Sequence, residues 1–342
     1  MPHRTFFWFI LPSAVAMLLF IALPIGSVLV QSLHIEHPRV MNEVETCGPF
    51  KCTTEMRVDV EATAALRAEE PLGRFNGLGT YTNRAHLAVN ELSLAWRETD
   101  SVRAFLSRVY NYPFYKALLF TLTYTFVVTP LVLVLGFFIA VAVNALPKLF
   151  KGPVIFFSLL PMIVTPLIGS LILFWMIDAE GIIGASLQRL FDDPDLSLKA
   201  SPVLTWVTLM VYGVWHSAPF AFVVFYAGLQ TVPQDTLESA MIDGASRWER
   251  IRYVVIPYLT PLVTFVALIQ LMDNFRVFEP IVGFNASANA TSLSWLIFND
   301  LRGQEQLFGS AAATSMLTIV GVSILLLPVL VRTWRDFNRR SV

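Results

Sequence analysis

Charge is scarce in this sequence. Only 14% of its 342 residues are Asp, Glu, Lys or Arg, and the formal net charge is −1. Soluble domains carry about 25% charged residues, so the chain is read as an integral membrane protein. Its near-neutral balance argues against a nucleic-acid partner. Catalytic patterns are missing too. There is no H-E-x-x-H, no G-x-S-x-G and no Walker-type glycine loop. Two cysteines exclude a four-thiolate metal centre, and the five histidines are scattered. No catalytic residue, metal site or bound cofactor is therefore assigned to this chain. Cys47 and Cys52 stand close together in C-G-P-F-K-C. A small-loop disulfide and two free thiols both fit, the disulfide being favoured if the segment lies outside the cytoplasm.

What is abundant is apolar sequence, 55% of the chain. Apolar runs of about 20 residues cross a bilayer as helices. Six are expected, over 6–33, 115–146, 154–177, 203–229, 258–284 and 310–333. Pro130 can kink the second, and Gly136 permits close helix packing there. The third contains Pro161 and Pro166. This gives an N-terminal helix (1–33), a polar loop region (34–114) and a membrane core (115–335). Basic residues concentrate on one side of short membrane loops. Placing both termini in the cytoplasm puts Arg4, Lys148, Lys151, Arg247, Arg250, Arg252 and the four C-terminal arginines inside. It leaves Arg189, Lys199 and Arg302 in the two short outer loops, with 34–114 also outside.

One stretch interrupts the apolar pattern. Between the fourth and fifth runs lies 233–257, opening on Pro233 and containing Leu237, Ala240, Met241 and Ala245 at helical spacing. It is expected to form a short helix outside the membrane, with Gly244 allowing a bend or a close approach. Glu238-Ser239-Ala240, Asp243-Gly244-Ala245, Val254 and Ile256-Pro257 resemble the EAA loop of binding-protein-dependent ABC importer permeases. That loop reads E-A-A, three residues, G, nine residues, I-x-L-P. Ser239, Val254 and Ile256 depart from it by small or apolar exchanges. Softer likeness covers 6–31 and 75–335 and is closest to the carbohydrate branch typified by the maltose permease.

The resemblance implies an all-α integral membrane protein: six transmembrane helices of the type I ABC importer permease fold, with an extracytoplasmic loop region after the first. It implies a multi-pass subunit of the bacterial inner membrane that is not itself an enzyme. Its implied partners are a second, similar permease, two ATPase subunits that hold ATP and Mg, and a periplasmic or lipid-anchored solute-binding protein. Glu238, Ser239, Ala240, Asp243, Gly244, Ala245, Ile256 and Pro257 would couple the chain to the ATPase.

Polar residues at bilayer depth are costly and mark pathways. Gln270, Asp273 and Asn274 share one face of the fifth helix, near Arg276 and Glu279, and the fourth carries Tyr212, Trp215 and His216. Planar amide and carboxylate groups beside aromatic faces suit a sugar. By the resemblance, Gly213, Ser217, Phe220, Gln270, Asp273 and Asn274 would line a sugar site. An ion pair of Asp273 with Arg276 within the bundle is the competing reading. A permease for a polyamine, phosphate or metal chelate, and an ATPase-independent carrier or channel, stay open as alternatives.

Overall fold

The structure is a computed structural model describing residues 3–37, 40–47, 52–303 and 306–340. The chain divides into two compact units. One comprises Met1–Lys116 and Leu296–Ile319; the other comprises Ala117–Trp295 and Val320–Val342.

The first unit opens with α1 (His3–Met17), a π-helical turn (Leu18–Ala22) and α2 (Leu23–Ser32). Pro24 has no N–H for an intrahelical bond, and its ring crowds the carbonyl four residues back. The π turn just before it accommodates this and lets the helix run on. The polar segment expected as loop is folded. Strands β1 (His34–Ile35), β2 (Met41–Cys47) and β3 (Cys52–Val58) are followed by α3 (Val60–Glu69), capped by Asp59, and by β4 (Arg74–Phe75). β2 and β3 pair antiparallel from Met41↔Val58 to Cys47↔Cys52, and β1 pairs with β4. The two cysteines are thus the last register pair of the hairpin, while their side chains lie outside the described residues. Short helices α4 (Gly79–Thr82), α5 (Val89–Glu98) and α6 (Val102–Tyr110) follow. His86 is buried beside them. Asn83 Oδ1 accepts the backbone N–H groups of Ala85 and His86, so it is an acceptor for the ring as well, at 2.9 Å from Nδ1. Nε2 lies 3.1 Å from Ser310 O, a carbonyl that can only accept, and 3.0 Å from Thr314 Oγ1. Desolvation holds the His86 pKa below the usual histidine value.

The remaining helices are α7 (Pro113–Asn144), α8 (Lys148–Ile163), α9 (Pro166–Met176), α10 (Ile182–Phe191), α11 (Pro202–Leu229), α12 (Gln234–Ile242) and α13 (Arg247–Arg250). A second π turn (Ile251–Val255) leads into α14 (Ile256–Phe275), then α15 (Glu279–Gly283), α16 (Leu293–Arg302) and α17 (Phe308–Arg340). Among the described residues five helices are long and apolar enough to cross a membrane, or six if α8 and α9 count as one span.

In the second unit Phe120, Tyr124, Val128 and Val132 form a stripe at four-residue spacing on α7, all buried. They belong to one core with Leu209, Tyr212, Phe222 and Phe225 of α11 and Val266 of α14. Gly136 lies against Ala221, where a Cβ would collide with the α11 backbone and side chain. Close backbone approach of this kind holds helices together where lipid removes the hydrophobic drive.

Three expectations need correction. The third span is not one helix, because α8 and α9 meet at a 94° bend. Val164 and Thr165 there are extended (ψ 127° and 146°), as the residue before Pro166 is driven out of the α region. The fifth span runs Arg247–Phe275 rather than 258–284, so Ile256 and Pro257 lie inside it. Arg276 and Glu279 fall after its end, not on it. The outer loops also carry helices, α10 and α16.

Candidate functional site

One cavity of about 630 Å³ lies in the second unit. All six residues named for a sugar site line it: Gly213, Ser217 and Phe220 from α11, and Gln270, Asp273 and Asn274 from α14. The helical period explains the grouping. Positions 213, 217 and 220, and likewise 270, 273 and 274, stack on one face of their helices.

Gly213 has no side chain because the Tyr124 hydroxyl from α7 fills the place a Cβ would take. Gln270 and Asn274 are buried, at 4% and 5% exposure. Asn274 Nδ2–H donates to Thr129 Oγ1 at 3.0 Å. Gln270 Oε1 has no hydrogen-bond partner among the described residues. A buried acceptor left unpaired costs roughly 1–3 kcal/mol, so this oxygen favours a donor entering the cavity. Asp273 instead pairs with Arg276 at 2.7 Å, both side chains about half exposed (51% and 58%). This is the bundle ion pair raised as the competing reading, although Asp273 also lines the cavity.

The bend between α8 and α9 forms another wall through Met162 and Pro166. Its freed carbonyls are taken up by α11. Tyr212 Oη–H donates to Pro166 O at 2.7 Å, and His216 Nε2–H to Val164 O at 3.1 Å. Because Val164 O can only accept, His216 is committed to holding the bend. The cavity thus offers aromatic faces, amides, hydroxyls and the charged Asp273, Arg276 and Glu279, with its one lining histidine already occupied.

The EAA-like residues form a separate corner. α12 ends in a Schellman arrangement: Gly244 N–H donates to Met241 O (3.0 Å) and Ala245 N–H to Ala240 O (2.9 Å). Gly244 sits at φ +82°, which explains the glycine. Ser246 and Glu249 then make a capping box that starts the next helix at once. Glu238, Ser239, Asp243 and Gly244 are exposed, and Ala240 and Ala245 half-buried. Ile242 (86%) and Trp248 (66%) expose large apolar surface, and among the described residues, its chain neighbours aside, nothing comes within 4 Å of a Cβ built on Gly244. Ile256 and Pro257 lie beyond the corner. The π turn before Pro257 repeats the solution used before Pro24.

Sequence reasoning missed Tyr124, Thr129 and Met162. The first two sit on an otherwise apolar helix, and only packing shows which way they face. Pro166 carried a local signal for the bend, since proline restricts the residue before it.

Apolar helices long enough to cross a membrane, with one bent pair among them, surround a polar cavity, and an exposed helical corner joins α11 to α14. Residues 104–336 match the family described as binding-protein-dependent transport system inner membrane component, and the chain belongs to that family. It is 34% identical over 123 residues to the trehalose/maltose transport system permease protein MalF of Thermococcus litoralis, covering 35% of this chain and 41% of that one. It is 31% identical over 223 residues to the probable ABC transporter permease protein YesP of Bacillus subtilis, covering 63% and 71%. The match thus spans about two fifths of the first of these relatives. In fold it resembles a chain of a bacterial ABC transporter involved in the import of the acidic polysaccharide alginate. There the TM-score is 0.61 and the identity 19%, over 81% of this chain and 97% of that one. The fold is the type I ABC importer permease fold.

Proposed function

We propose that this chain is one of two membrane-spanning subunits of an ATP-driven importer that moves a sugar or related glycoside by alternating access. The observation that carries this reading is the convergence of residues from both sides of the EAA-like corner on one cavity. Its buried polar groups are neutral amides, and its walls are aromatic, as suits hydroxyls and ring C–H faces. Relatives named for trehalose/maltose transport support a sugar cargo. Asp273 is paired with Arg276, while Glu279 also lines the cavity.

In this reading both termini are cytoplasmic, and the α12 corner faces an ATPase. Exposed Ile242 and Trp248 and the open space at Gly244 supply a docking surface for it. ATP and Mg reside on two copies of that ATPase, and a solute-binding protein delivers the sugar from outside. Closure of the ATPase pair pulls the corner and rocks the helices around the cavity. Affinity purification of the tagged chain from its native membrane is expected to bring a second permease and an ATPase with it. A chain that transports sugar after purifying without an ATPase contradicts the reading.

A further inference from the structure

A second cavity, of about 410 Å³, lies wholly within the first unit. One wall is apolar, formed by Val28 of α2, Leu301 of α16, and Phe308 and Ala312 of α17. It adjoins the first apolar span, Phe6–Ser32, whose most apolar stretch is entirely unburied. In a bilayer such a surface meets hydrocarbon. Glu36, His37, Arg67 and Glu70 also line the cavity.

These charged groups are unevenly satisfied. Glu36 accepts the Gly309 N–H and so closes the N-terminus of α17. His37 Nε2 approaches Glu70 to 3.2 Å, yet it is a buried atom without an aligned hydrogen bond. Glu70 is largely exposed (62%). Among the described residues no carboxylate pairs with Arg67.

A cavity lined by apolar side chains together with a guanidinium, a carboxylate and an imidazole nitrogen suits a zwitterionic headgroup. A guanidinium fork matches phosphate oxygens. A primary ammonium supplies three N–H donors, enough for Glu70 and for His37 Nε2, which has no aligned hydrogen bond. A quaternary ammonium supplies none. We propose that this cavity binds a phosphoethanolamine headgroup, with Arg67 on the phosphate and Glu70 and His37 on the ammonium. The apolar wall at Val28, Phe308 and Ala312 assigns the source as an aminophospholipid, its acyl chain leaving along the first span.

The site is independent of the transport reading and is tested separately from it. Full-length protein in mild detergent is exposed to phosphatidylethanolamine, phosphatidylcholine, phosphatidylglycerol or water-soluble glycerophosphoethanolamine, and adducts are counted by native mass spectrometry. Phosphatidylethanolamine is expected to be retained about tenfold over the other lipids, equivalent to ~1.4 kcal/mol. Arg67→Gln and Glu70→Gln are each expected to remove that preference. Val28→Trp fills the cavity from an exposed helix without replacing a charged group, and it is expected to remove the adduct. Asn274→Ala, in the other unit, is expected to leave it unchanged. Equal retention of the three lipids, or unchanged preference in both charge variants, overturns the site. Soluble headgroup binding as tightly as the lipid overturns the lipid as its source.

Discussion

Gly244→Val is expected to abolish import while the protein still inserts in the membrane at normal level. Two effects combine. A non-glycine residue in the left-handed region costs roughly 1–2 kcal/mol, and a β-branched one more. The added side chain also enters space that this chain leaves open, where the reading places an ATPase. Gly244→Asn separates the two effects. Asparagine tolerates positive φ, so the Schellman turn and the capping box at Ser246 survive. If the space is a docking cleft, Gly244→Asn also lowers uptake, by about tenfold or more, the equivalent of ~1.4 kcal/mol lost from a tight contact. Uptake by vesicles decides the matter. Full activity in Gly244→Asn would mean that the glycine serves the turn alone.

Gln270→Leu is expected to lower sugar uptake while leaving thermal stability equal or higher. The two signs differ because Gln270 Oε1 is buried without a partner. Removing an unpaired acceptor relieves a cost of roughly 1–3 kcal/mol in the empty protein, and the same change deletes a bond to a sugar hydroxyl. Asn274→Ala acts differently. It breaks the bond to Thr129 and opens space, so uptake and stability both fall. Asp273→Ala breaks a half-exposed pair worth about 0–1 kcal/mol, so any large loss of uptake there reports cargo contact rather than folding. Uptake kinetics together with a melting curve read all three. Normal uptake in Gln270→Leu and Asn274→Ala would move the cargo site elsewhere.

Part of the corner and the α14 face of the cavity were legible in the sequence for local reasons. Proline at 233 opens the helix and glycine at 244 lets it bend, whatever surrounds them, whereas the restart at Ser246 went unread. The α14 face follows from helical period, whereas Gly213, Ser217 and Phe220 of α11 came through the resemblance. What was not legible depends on partners distant in sequence. Tyr124 explains Gly213 only once α7 lies against α11, and the bend at Val164 is fixed by Tyr212 and His216, about fifty residues on. Within the polar stretch after the first helix, 85–109 carries an amphipathic helical pattern, but the short strands and α3 before it leave only a weak periodic signal. The fifth span was placed too late because Arg247, Glu249, Arg250 and Arg252 mask a helix that already begins at the Ser246 cap.

The central claim is that ATP hydrolysed on a partner drives a sugar through the cavity between α11 and α14. The most direct measurement is uptake of labelled mono- and oligosaccharides by proteoliposomes. They contain the purified complex and its binding protein, with ATP or ADP on the ATPase side. The account predicts that at least one sugar accumulates above its external concentration with ATP and not with ADP. Sugar that equilibrates equally with either nucleotide, or accumulation of a charged solute with no sugar transported, would contradict it.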